Sequence, residues 1–98
     1  MTAEALALIT SYFLCSEAAE VRVLSPAEVD TCTSIYTEVK LGFLPDVDLA
    51  AYQSMSVVER AAVNQRGYAA YVAWRAENAD LVAELEASAR DRLSGTDS

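Results

Sequence analysis

The 98-residue chain contains no histidine, one lysine (Lys40), two prolines, three glycines and two cysteines. Without histidine it lacks both the commonest general base and the commonest transition-metal ligand. Catalytic triads and His-containing zinc sites are thereby excluded within the chain. No C-x-x-C pair occurs, and two thiolates cannot complete a four-ligand zinc site. A Gly-rich phosphate loop is also missing, and Lys40 has no serine partner suited to a catalytic dyad. The sequence therefore assigns no catalytic residue, no metal ligand and no cofactor, and it reads as non-enzymatic.

Positive charge is scarce too. Seven basic residues face fifteen acidic ones, a net charge of −8. DNA or an anionic membrane surface normally requires clustered Lys and Arg, so neither direct nucleic-acid binding nor membrane binding is expected. The acids lean towards the first half: residues 1–50 carry eight acids and two bases, and residues 51–98 carry seven and five.

Long hydrophobic runs are absent except for Ala5 to Cys15, about half of the roughly 20 residues that cross a bilayer. Its length suits a signal-peptide core. However, Glu4 stands where a basic residue belongs, and no small-x-small cleavage pattern follows. The expected compartment is the cytoplasm, where Cys15 and Cys32 would be free, buried thiols. The alternative is a periplasmic helical domain stapled by a Cys15–Cys32 disulfide.

What the chain has in quantity is alanine and leucine, eighteen and ten residues, a composition that favours helix. The expectation is an all-α, compact three- or four-helix bundle over residues 1–93 with a long C-terminal helix, followed by a frayed tail at 94–98. Thr2 can cap a first helix over residues 3–20 that is apolar on most sides. Val21 to Leu24 reads as an extended connector. Ser25-Pro26-Ala27-Glu28 is a capping box with Pro at the first helical position, and Val29, Cys32, Ile35, Tyr36 and Val39 then recur at helical spacing. Thr31, Thr33, Ile35, Thr37 and Val39 also alternate with period two, which keeps open an α+β fold with one short hairpin or edge strand. Leu41 to Asp46 is the main loop, Asp48 can cap a short helical turn, and Ser56-Val57-Val58-Glu59 is a second capping box. The helix that follows is expected to break or bend at Gly67. The last one, about 68–93, shows a stripe of Tyr71, Trp74, Asn78, Leu81, Val82, Leu85 and Ala89, with Glu86 and Arg90 placed as an i, i+4 pair.

Two surfaces are candidates for function. Tyr68, Tyr71, Trp74, Asn78, Leu81 and Leu85 would either pack a core or anchor a partner, because Tyr and Trp dominate interfaces. This surplus of apolar helix face points to a protein partner or a homo-oligomer. The acids Glu28, Asp30, Glu38, Asp46 and Asp48 could instead imitate phosphates and occupy the basic groove of a nucleic-acid-binding machine, or simply keep the domain soluble. Asp46-Val47-Asp48 opens like a calcium loop, but Ala50, Ala51 and Val57 stand where oxygen, Gly and Glu are required.

Overall fold

The computed structural model describes residues 2–96, and every described element is helical: α1 (Ala3–Val21), α2 (Pro26–Leu41), α3 (Leu49–Gln53), α4 (Val57–Glu77) and α5 (Ala79–Thr96). No strand occurs among the described residues, so the all-α reading holds and the α+β alternative falls. The period-two threonines lie within α2, where Thr31 and Thr37 donate their hydroxyls to the carbonyls of Ala27 and Thr33.

The helix starts follow from local chemistry. Thr2 Oγ1 accepts the Ala5 N–H at 3.0 Å, and Asp48 Oδ1 accepts the Ala51 N–H at 2.7 Å. Ser25 with Glu28 and Ser56 with Glu59 close reciprocal capping boxes, each satisfying two backbone donors that the first turn leaves unpaired.

α1 packs against α2 and α5, and α2 packs against α4. Ile9, Phe13, Val39, Tyr71, Val82 and Ala89 form the main buried cluster. A smaller one joins Leu41, Leu44 and Val47 to Val63 of α4, which tucks the 42–48 connector under the bundle. Arg60 fastens the end of α3 by donating to the Tyr52 and Gln53 carbonyls.

Four sequence expectations need correction. First, the helix does not break at Gly67. That residue is buried within α4, and a Cβ there would lie 2.8 Å from the Lys40 Cβ and 3.0 Å from its carbonyl oxygen. Glycine serves here as the contact that lets α2 and α4 approach. The break falls instead at Asn78, whose φ of −125° and ψ of 37° leave the helical region. Its N–H is shared by the Trp74 and Arg75 carbonyls, and its Nδ2 donates to the Trp74 carbonyl at 2.9 Å. The expected single helix over 68–93 is thus two helices, one on α2 and one on α1.

Second, α5 continues through Ser94 and Gly95 to Thr96, where a frayed tail was expected; residues 97 and 98 lie outside the described residues. Third, Glu86 and Arg90 do not pair with each other. Glu86 lies 3.9 Å from Arg75, and Arg90 lies 3.2 Å from Glu17, so each prefers a partner on another helix. Fourth, Cys15 and Cys32 are not free thiols. They form a disulfide between α1 and α2, with Cα atoms 5.8 Å apart, a separation well suited to the bond.

Candidate functional site

The aromatic residues organise one end of the bundle. Tyr12 of α1 stacks on Tyr36 of α2 at 4.6 Å between ring centres. Tyr71 meets both rings edge-on at 6.1 and 5.9 Å. Phe43, from the connector, contacts Tyr71 at 6.2 Å and Trp74 at 6.1 Å. Separations and tilts of this kind suit the ring quadrupoles and contribute beyond area burial. Arg75 spans the assembly: it donates to the Tyr71 hydroxyl at 3.2 Å and holds its guanidinium 5.7 Å from the centre of the Phe13 ring. Burial raises the Tyr71 phenol above its ordinary pKa, while the hydrogen bond from Arg75 opposes that shift.

The series of rings ends at Trp74, which is half-buried and borders an open groove of about 540 Å³. The first turns of α1 supply Thr2, Ala5, Leu8 and Ile9 to this groove, and the end of α2 supplies Glu38, Val39 and Gly42. Phe43, Trp74 and Asn78 complete the wall. The lining is mainly apolar, includes one carboxylate and contains no Lys or Arg.

Of the six residues expected on the apolar surface, only Trp74 and Asn78 meet in this groove. Tyr71 is core at 4% exposure, Leu85 packs against that core, and Leu81 is half-buried on α5. Tyr68 stands apart at 55% exposure. Sequence reasoning missed Phe43 and Leu8. An aromatic residue inside a Gly- and Pro-marked loop was the available signal for Phe43, whereas Leu8 lay hidden in an apolar run.

The acidic set does not form one face of free carboxylates. Glu28 receives two hydrogen bonds from Arg22, one of them 3.0 Å long. The Arg22 guanidinium, followed by the backbone N–H and hydroxyl of Ser25, holds the Glu28 carboxyl down at about 2. Asp46 accepts from Arg66 at 3.0 and 3.1 Å, and that contact lowers its pKa. Asp48 caps α3, Asp30 is exposed, and Glu38 is half-buried in the groove. Among the described residues no three His, Cys, Asp or Glu side chains come together to hold a metal. No described helix is long and apolar enough to cross a membrane.

No known protein family, curated protein or solved structure matches the chain.

Proposed function

We propose that this protein is a non-enzymatic binding module that takes an apolar side chain of a protein partner into the groove beside Trp74. The observation that carries this reading is the half-buried Trp74, which packs against the core on one side and, together with Phe43, borders a mainly apolar opening on the other. Large aromatic side chains with one packed and one open side are the usual anchors of protein interfaces. Glu38, with no basic residue in the same lining, suits a partner segment in which Lys or Arg flanks the apolar side chain.

The Cys15–Cys32 disulfide favours an oxidising compartment such as the periplasm over the cytoplasm, since cytosolic thiols are normally kept reduced. The competing role, an acidic decoy for a nucleic-acid-binding machine, needs free carboxylates. Arg22, Arg66 and the α3 cap engage Glu28, Asp46 and Asp48.

Trp74 is the only tryptophan, so its fluorescence reports directly on the groove. Partner binding should shift its emission to the blue and protect it from acrylamide. Trp74→Ala should weaken binding by about 2 kcal/mol or more, as for an interface anchor, while Tyr68→Ala leaves it nearly unchanged. Affinity should change little between about 0.1 and 0.5 M salt. A bound partner that leaves Trp74 emission and quenching unaltered refutes the groove, and complete dissociation by 0.5 M salt restores the acidic decoy.

A further inference from the structure

α2 is held in two different ways along its length. In its second half Val39 and Leu41 are buried, and Lys40 rests on Gly67 of α4. In its first half, residues 26–34, no side chain is buried, and Val29 is 47% exposed. Two side-chain links join this half to the end of α1: the disulfide and the ion pair of Glu28 with Arg22, the C-cap residue of α1. Beside the disulfide runs an open groove of about 480 Å³, bordered by Leu14 and Ala18 of α1, Thr31 of α2 and Leu93 of α5. The bond therefore ties the helix across a groove instead of reinforcing a packed interior, and both cysteines are half-buried at its wall.

We infer that the Cys15–Cys32 disulfide is a redox latch: reduction by a dithiol frees residues 23–34 from the end of α1, where Arg22 stays as the C-cap with its N–H on the Ala18 carbonyl, while the rest of the bundle stays folded. A solvent-exposed ion pair is a weak tether. A helix of 16 residues is marginal in water without tertiary support, and Thr31 and Thr33 are β-branched residues of low helix propensity. Every buried residue of both core clusters lies outside 22–34, so undocking this segment leaves both clusters intact and uncovers, of the buried side chains at the groove, only the small Ala18.

The exchange balances. A thiolate of the dithiol attacks one cysteine sulfur, and the Sγ–Sγ electron pair leaves on the other cysteine, which takes a proton. The second thiolate of the dithiol then attacks the mixed disulfide, releasing the first cysteine, which is also protonated. Two electrons pass from the dithiol, now an internal disulfide, to the protein, and the dithiol's two protons end on Cys15 and Cys32.

Hydrogen exchange of the full chain tests the latch, with and without dithiothreitol, alongside the Cys15→Ser/Cys32→Ser double variant. Reduction should accelerate exchange of the amides at 29–35 at least about tenfold and change those at 63–71 less than about threefold. The double variant should show the fast pattern regardless of reductant. No acceleration at 29–35 overturns the inference. So does equal acceleration throughout, or a double variant that fails to fold, because either makes the bond a staple of the whole fold.

Discussion

The two ends of the α1–α2 pair are stabilised by different physics. At the start of α1 and the end of α2, rings from α1, α2, α4 and the connector interlock around Tyr71, and buried Ile9, Phe13 and Val39 sit within the same cluster. At the other end, around the 22–25 connector, one covalent bond and one exposed ion pair do the joining, and Val21 and Val23 are left 72% and 94% exposed. The packed end derives its stability from many contacts shared by four segments, so losing one side chain there is felt by all of them. Around its groove the linked end buries only the small side chain of Ala18. Its stability rests instead on limiting the freedom of the chain, so the two ends should fail under different treatments.

The largest effect should come from emptying the packed end. Phe13, 2% exposed, touches Tyr12 and carries the Arg75 guanidinium over its face. Phe13→Ala should cost about 3–5 kcal/mol in denaturant unfolding, from lost burial plus the cavity left behind. A loss below about 1 kcal/mol would show that this end is not a close-packed core.

Removing the disulfide should come next. Cys15 and Cys32 are separated by 17 positions, and closing a loop of that length restrains the unfolded chain by about 3 kcal/mol. The double serine variant should unfold at correspondingly lower denaturant, with Trp74 emission before the transition unchanged. A shifted native emission would mean that the linked end supports the packed one, and the comparison would fail.

Gly67 sharpens the boundary between the two halves of α2. Because a Cβ there would fall 2.8 Å from a Lys40 Cβ and 3.0 Å from backbone oxygen, Gly67→Ala should destabilise by roughly 1–3 kcal/mol through forced separation of α2 and α4. This outweighs the gain of about 1 kcal/mol that alanine would give an unhindered helix. An increase in melting temperature would remove the close contact from the account.

Gly67 and Asn78 also show what could be read before the fold was known. The caps at Thr2, Ser25, Asp48 and Ser56 were legible because each depends on residues only three apart. Gly67 reads in the sequence as a break or bend because its reason for being glycine is Lys40, twenty-seven positions earlier in the chain. Asn78 was misread as continuous helix because its neighbours Trp74, Leu81 and Val82 keep helical spacing across it, although α4 turns to α2 and α5 to α1. The disulfide and the Trp74 groove are likewise tertiary: the first needs two Cα atoms 5.8 Å apart, and the second needs Phe43 to fold in from a loop. Trp74 was legible as a candidate. The neighbours that make it one wall of a groove were not.

Acid should produce the smallest effect and act mainly on the linked end. Glu28 titrates at about 2 in the fold, below its ordinary 4.5, because of Arg22 first and then the Ser25 backbone and hydroxyl. A carboxyl lowered on folding favours the folded state above its unfolded value, and that contribution disappears as pH falls from about 4.5 towards 2. Asp46 and Glu59 shift in the same direction, so the melting temperature should decline across this acid window in the oxidised protein. Glu28→Gln removes the titrating group, leaves a neutral side chain of similar shape and should make that decline shallower. In the reduced protein the same ion pair is the remaining side-chain tether across the connector, so exchange at 29–35 should speed up further as pH falls from 5 to 3, after correction for the intrinsic rate, in the native sequence but not in Glu28→Gln. Matching acid profiles for the two proteins would show that the Arg22–Glu28 pair holds nothing, leaving the disulfide as the sole fastening of that end.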